Sequence, residues 1–128
     1  MHRKRLALGL ILAGLLAASG PAFAHHAWRG FDAGNRATIK GTVTNFDWGN
    51  PHVWIYLAVS DDKGVIEKWS AGGPSPSRMA RTGWDKDTLK PGDQVAATGI
   101  RSNDGSPVLR LEKVTLPDGR ELICYGRR

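Results

Sequence analysis

Residues 52–60 carry the pattern that most limits what this chain can fold into. Aliphatic residues fill every second position, at Val53, Ile55, Leu57 and Val59. The positions between them hold His52, Trp54, Tyr56 and Ala58. Successive side chains of a strand point to opposite faces, so a strict period of two is typical of a half-buried β-strand. We therefore predict a strand here, with the aliphatic residues in the core and Trp54 and Tyr56 on the opposite face.

The rest of the chain predicts further short strands, separated by turn sequences rich in Gly, Pro, Asn and Asp. These strands are expected at about residues 37–48, 65–70, 94–100, 108–116 and, as a last short piece, 121–125. A short helix is expected over residues 77–82. Ser75 and Pro76 suit its first turn, and Gly83 suits its end. In Lys90-Pro91-Gly92-Asp93, Pro and Gly occupy the central positions of a type II turn.

This order of elements predicts an all-β fold. Three strands, a short helix and then two or three strands match a small OB-like five-stranded barrel with one short helix between strands three and four. Gly41, inside the first predicted strand, indicates the sharp bend or bulge that small barrels need. In that strand Ile39 and Val43 are predicted on one face and Phe46 on the other. A plain β-sandwich is the alternative fold.

Residues 1–24 predict a signal peptide that is not part of the fold. A basic stretch precedes an apolar run of 13 residues, and Ala22-Phe23-Ala24 fits the small-x-small rule for signal peptidase. The run is shorter than the roughly 20 residues that span a bilayer, which argues against a transmembrane anchor. We expect a periplasmic protein of 104 of the 128 residues. It would comprise an N-terminal arm, residues 25–35, and a small β-barrel domain, residues 36–128.

Charge and cysteine content narrow the function classes. Loss of Arg3, Lys4 and Arg5 with the signal lowers the net charge from +6 to +3, so no nucleic-acid partner is expected, and no membrane contact after cleavage. Cys124 is the single cysteine, which excludes a disulfide scaffold and predicts a sheltered thiol. The chain has neither a Gly-x-Ser-x-Gly motif nor a phosphate-binding Gly-Lys-Ser/Thr loop. We therefore expect a binding protein rather than an enzyme.

The histidines suggest a metal site. Cleavage after Ala24 makes His25 the first residue, with a free α-amine whose unperturbed pKa is about 7.7–8.0. That amine and the His25 ring can chelate one ion, and a further imidazole from His52, or from His26, would complete a set of three nitrogen ligands. Three nitrogens in a near-planar array suit Cu(II), which also heads the divalent affinity order. The sequence thus predicts copper binding at His25, His26 and His52.

Other interpretations of these residues remain open. Histidines close to a cleavage site need no function. Trp54 and Tyr56 can form an aromatic face for a small ligand or a protein partner, or can simply pack under the N-terminal arm or the short helix. A copper-dependent oxidase is a further alternative. Arg78 and Arg81, three apart on the predicted helix, can hold an anion or form an ordinary solvated face. The remaining tryptophans are expected to be packing residues: Trp28, Trp48, Trp69 and Trp84.

Several short motifs together resemble a known family. They are His25-His26 directly after the signal, Phe31-Asp32, Gly41-Thr42-Val43, Asn50-Pro51-His52, Gly83-Trp84 and Pro91-Gly92-Asp93. The set is similar to a family of small exported bacterial proteins of unknown function, over nearly all of the mature chain. The resemblance implies export and a small β-barrel, and it implies no activity. The leading histidine alone also resembles that of N-terminal-histidine copper proteins, such as polysaccharide monooxygenases and periplasmic copper carriers.

Overall fold

The computed structural model describes residues 28–126, and this part of the chain is almost entirely β. A 3-10 turn at Ala33–Asn35 leads into the first strand. The six strands are β1 (Arg36–Asp47), β2 (Trp54–Ser60), β3 (Ile66–Gly72), β4 (Gln94–Arg101), β5 (Val108–Thr115) and β6 (Glu121–Ile123). The α-helix α1 (Pro76–Ala80) lies between β3 and β4. The predicted all-β class, the order of the strands and the place of the short helix are confirmed.

The strands form one sheet in the order β3-β2-β1-β4-β5-β6, with antiparallel neighbours. In addition, the end of β3 pairs in parallel with the start of β5, where Ser70–Gly72 lie opposite Val108–Arg110. Each of the strands β1 to β4 therefore pairs with two others, and β5 pairs with three, namely β3, β4 and β6. No helix of residues 28–126 is long and apolar enough to cross a membrane.

The alternating segment forms the centre of the core. Val53, Ile55 and Leu57 are at most 2% exposed, while Val59 is partly buried and packs against them. Trp54 and Tyr56 are both half-buried, on the face away from these three. The predicted strand and its buried face are confirmed, because the period of two follows from strand geometry wherever one face is covered.

The first strand differs from the prediction at Phe46. Ile39 and Val43 belong to the core as expected, but Phe46 packs against the core as well. The pairing of β1 with β2 shifts register between Val43 and Asn45, which places one extra residue in β1. Such a bulge reverses the alternation beyond it, so Phe46 turns to the side of Val43. The bulge lies two residues beyond Gly41, the position from which a bend or bulge was predicted.

The absence of a side chain at Gly41 instead allows β1 to approach β2 closely. A Cβ atom at this position would lie 2.7 Å from the backbone oxygen of Ala58 in the neighbouring strand β2. Two predicted turns have the expected geometry, with positive φ at Gly83 after the helix and at Gly92 in the turn before β4. Trp69 and Trp84 are buried packing residues, as expected. The Trp84 indole also donates a hydrogen bond to the backbone oxygen of Ile123.

Candidate functional site

His52 is held against the end of the third strand by a short ladder of hydrogen bonds. It lies just before β2 and is half-buried, and its ring Nδ1 is 3.0 Å from the backbone oxygen of Gly73. The next residue, Val53, donates to the oxygen of Pro74 and accepts from the nitrogen of Gly73. Two backbone bonds and one side-chain bond therefore fix the position of the imidazole.

The bond to Gly73 also determines the tautomer of the His52 ring. A carbonyl oxygen only accepts, so Nδ1 must carry the proton and donate it. In the neutral ring the free lone pair is then on Nε2. Histidines that bind metals commonly make such a bond from the other ring nitrogen to a backbone carbonyl, which orients the ring and raises its basicity. His52 thus has the hydrogen-bonding arrangement of a ligand that coordinates through Nε2.

A group of aromatic residues meets this ring through Trp28. Trp28, the first described residue, meets the His52 ring edge-on with 5.6 Å between centroids. Trp28 also contacts Trp54 at 6.1 Å and Phe31 at 5.1 Å. We call these four side chains the His52 cluster. The cluster brings the N-terminal arm directly onto the start of β2.

Gly72 makes room for this cluster. A Cβ atom at Gly72 would lie 2.6 Å from Cη2 of Trp28 and 2.8 Å from Cζ3 of Trp54. Both distances are shorter than carbon atoms tolerate. Any larger residue would therefore push the indoles off the sheet, and the absence of a side chain at this position allows Trp28 to reach His52.

Asn103 anchors the arm from the opposite end of the sequence. In the β4–β5 turn, its backbone nitrogen donates to the oxygen of Gly30 at 2.7 Å. Its side-chain Oδ1 accepts from the nitrogen of Asp32 at 3.2 Å and from Nδ2 of Asn35 at 2.8 Å. Asn103 thus binds three residues of the arm. In the sequence, Asn103 begins an Asn-Asp-Gly stretch typical of a hairpin turn, and nothing in this stretch predicts contacts with the arm.

The predicted site residues divide into three groups. His25 and His26 lie outside the described residues. His52 and Trp54 belong to one cluster, joined through Trp28, which sequence analysis had treated only as packing. Tyr56 lies further along β2, opposite Asn45 and Ser70, and no aromatic contact links it to the cluster in the described part of the chain.

The described residues do not form a metal site by themselves. Residues 28–126 contain no group of three or more His, Cys, Asp or Glu side chains that could hold an ion. Cys124 is buried, as predicted for a lone thiol. Burial, together with the negative charge of Glu112, raises the pKa of this thiol to about 12. The raised pKa disfavours the thiolate, which is the metal-binding form. Among residues 28–126, no second His, Cys, Asp or Glu group joins His52 in a set of three.

Comparison with known proteins identifies the family. A model for a family of unknown function, DUF6152, matches residues 12–108. The chain belongs to DUF6152. In this DUF6152 protein the matched span includes all three predicted ligands, His25, His26 and His52. None of the curated proteins compared with it matches.

Membership of DUF6152 confirms the resemblance to a family of unknown function. That the His-His pair and the Asn-Pro-His motif distinguish the family stays a prediction. In this DUF6152 protein, one of the two motifs supplies His52, whose ring is held by the Nδ1–Gly73 bond and contacts Trp28.

Proposed function

We propose that this protein is exported to the periplasm and binds one Cu(II) ion. Cleavage after Ala24 would free the α-amine of His25. The ion would be coordinated by that amine, by the His25 ring and by Nε2 of His52, with His26 as a further candidate ligand. The role would be sequestration or delivery of copper. The observation that carries the proposal is the hydrogen bond from His52 Nδ1 to Gly73, which leaves Nε2 as the coordinating atom.

The position of Trp28 supports a meeting of His25 with His52. Its indole contacts the His52 ring, and Gly30 is tied to Asn103. His25 precedes Trp28 by only three residues. A chain of three residues spans at most about 10–11 Å. The proposed chelate requires His25 to reach back from Trp28 to His52, which a link of this length allows.

The available donor atoms favour Cu(II) over Cu(I). Three nitrogens from an amine and two imidazoles suit Cu(II), whereas Cu(I) prefers thiolate and thioether ligands. The protein offers neither sulfur donor. The Cys124 thiol is buried with a raised pKa, and Met79, the single methionine after the signal, is 0% exposed.

The strand pairings support the finer proposal of an OB-like five-stranded barrel. Following the pairs from β1 to β2, β3, β5, β4 and back to β1 gives a closed circuit, with β6 outside it. Folds of this kind commonly place ligands on the face that strands two and three present. The His52 cluster lies at the start of β2, next to the end of β3.

A titration of three proteins with Cu(II) tests the copper proposal. We expect the protein that begins at His25, checked by intact mass, to bind one Cu(II). A Gly-Ser-Gly extension before His25 removes the amine from the chelate and leaves no histidine among the first three residues, where it could form a different Cu(II) chelate with the new amine. His52→Gln replaces the imidazole while keeping a donor for the Gly73 carbonyl. Each change should weaken binding by tenfold or more, about 1.4 kcal/mol, in calorimetry. Binding should also weaken as the pH falls, because imidazole and amine ligands must lose their protons.

An extension at the C-terminus is the control for this titration and should leave the affinity unchanged. Equal affinity in the native-start, Gly-Ser-Gly-extended and His52→Gln proteins would contradict the proposal. Thermal melting of each protein separates a lost ligand from a lost fold, since His52 lies outside the strands.

The Asn103 anchor gives a second, independent prediction. Asn103→Ala removes the acceptor for Asp32 and Asn35, although the backbone bond to Gly30 can remain. If the arm must be held near His52, this change should weaken Cu(II) binding about threefold to tenfold, an effect of about 1 kcal/mol for lost hydrogen bonds. Asn45→Ala is the matched control, because Asn45 is exposed on β1 and its side chain makes no hydrogen bond to the described residues of the arm. An unchanged affinity in Asn103→Ala would show that anchoring of the arm does not matter for the metal.

Binding of a small ligand or a protein partner is the second candidate function. Of the predicted aromatic pair, Trp54 has an aromatic neighbour in Trp28, whereas Tyr56 lies further along β2. Trp28 and Trp54 are both half-buried and their indoles are 6.1 Å apart, so two partly open aromatic surfaces lie side by side. Such a pair can stack on a flat ligand or receive an aromatic side chain of a partner. Equal copper affinity in the three titrated proteins would favour this binding-module function.

A further inference from the structure

A pocket separate from the His52 cluster lies between the end of α1 and the segment that follows β6. It has a volume of about 620 Å³. It is lined by Arg78, Arg81, Thr82, Ile123, Cys124, Tyr125 and Gly126. Ligand pockets typically measure about 300–1,000 Å³, so this one has the size of a small-molecule site. It shares no residue with the His52 cluster.

The charge of this pocket is positive. Arg78 and Arg81 both line it and both are exposed. Within residues 28–126, neither guanidinium forms an ion pair, although five other cation–carboxylate pairs are present there. No acidic side chain of residues 28–126 lines the pocket. Two arginines three residues apart with no neighbouring carboxylate favour an anionic ligand.

A third cation lies beside the pocket wall. The guanidinium of Arg110 is 5.8 Å from the centre of the Tyr125 ring, and its Nε is buried without a hydrogen-bond partner in the described part of the chain. The nearby carboxylate of Glu112 makes no hydrogen bond to this Nε and instead pairs with Arg36, at 2.8 and 2.9 Å. Arg110 therefore adds positive charge that no described carboxylate neutralises by direct contact.

The same pocket has an apolar wall. Ile123 is 45% exposed, which is unusual for a large aliphatic residue in this protein. The ring of Tyr125 lies two residues further along the chain and lines the same space. Exposed apolar surface next to unpaired arginines is typical of a site for a ligand that carries both an apolar body and an anionic group.

We propose that this pocket binds a small organic anion, an aromatic or aliphatic body that carries a sulfonate, phosphate or carboxylate group. Arg78 and Arg81 would bind the anionic group, because the guanidinium fork matches the geometry of such oxygens. Ile123 and Tyr125 would contact the body of the ligand. The site is independent of the copper proposal, since no residue is common to both.

Calorimetry with three small probes tests this site. Naphthalene-2-sulfonate carries both features, inorganic sulfate has only the charge, and 2-naphthol has only the ring system. We expect naphthalene-2-sulfonate to bind more tightly than either of the others at low ionic strength. The double variant Arg78→Gln/Arg81→Gln should weaken its binding by about tenfold or more, as expected when charged partners of a bound anion are removed.

The matched control is Lys63→Gln/Lys68→Gln, which removes the same charge from two exposed positions that do not line the pocket. It should leave the affinity within about twofold of wild type, which would exclude a general effect of net charge. Equal losses in the two double variants, or no binding of naphthalene-2-sulfonate to wild type, would overturn the proposal.

The apolar wall has its own test. Ile123→Ser should weaken binding of naphthalene-2-sulfonate and leave that of sulfate unchanged. Sulfate binding as tight as that of naphthalene-2-sulfonate would refute a role for the apolar wall, and naphthol binding as tight would refute a role for the arginines. Melting curves of each variant ensure that lost binding is not lost folding.

Discussion

The Ile55→Asp variant should not fold. Ile55 is 0% exposed and lies near the start of β2, paired with Phe46 of β1 and Ala71 of β3. The substitution removes an aliphatic side chain whose burial is worth roughly 1.5–3 kcal/mol and buries an unpaired carboxylate in its place. The sum exceeds about 4 kcal/mol, which is most of the stability of a domain of this size. Circular dichroism should show the loss of the folded signal at room temperature.

Ile66→Asp is the control for this prediction. It makes the same chemical change in the neighbouring strand β3, but Ile66 is 58% exposed. Its effect should stay below about 1 kcal/mol, because exposed strand positions tolerate most side chains. Cooperative melting of Ile55→Asp close to the wild-type temperature would mean that Ile55 is not in the core.

Gly99→Ala should destabilise the protein by about 3 kcal/mol, although it adds only one methyl group. Gly99 lies in β4 at the point where the pairing with β5 shifts register. A Cβ atom there would overlap the backbone oxygen of Arg110 and lie 3.1 Å from Cγ of Leu109. Because the first neighbour is backbone, no change of rotamer relieves the overlap, and the two strands must separate.

The melting temperature of Gly99→Ala should therefore fall by about 12 °C or more, measured by differential scanning calorimetry. Gly30→Ala is the matched control, since a Cβ atom at Gly30 meets no atom within 4 Å. It should melt within about 2 °C of wild type. Similar melting temperatures for the two variants would contradict the close approach of β4 and β5 at Gly99.

Local sequence patterns were enough to predict several features of this protein. The alternation of Val53, Ile55 and Leu57 determined which face of β2 is buried, because a strand has a fixed period of two. Glycines such as Gly83 and Gly92 marked turns, because they adopt positive φ at no steric cost. These signals depend only on neighbouring residues, and so the all-β class and the order of strands and helix could be inferred from them.

The β1 bulge and the arm contacts depended on the tertiary structure. The bulge beyond Val43 follows from how β1 meets β2, so the direction of Phe46 could not be deduced from β1 alone. The anchor at Asn103 joins residues 71 and 68 positions apart in sequence. The Asn-Asp-Gly sequence predicts a turn, but it carries no information about which distant segment packs on that turn.

The candidate site divides in the same way. The sequence by itself was enough to name His52 as a candidate ligand, because imidazole is a common metal ligand whatever its surroundings. Only the tertiary structure decided that its Nδ1 donates to Gly73 and that Trp28 contacts its ring edge-on. Both contacts join segments that are remote along the chain, and they form only because the pairing of β2 with β3 brings Gly72 and Gly73 beside His52. The chemical groups of each residue can be read from the sequence, whereas the hydrogen bonds and neighbours of His52 exist only in the folded chain.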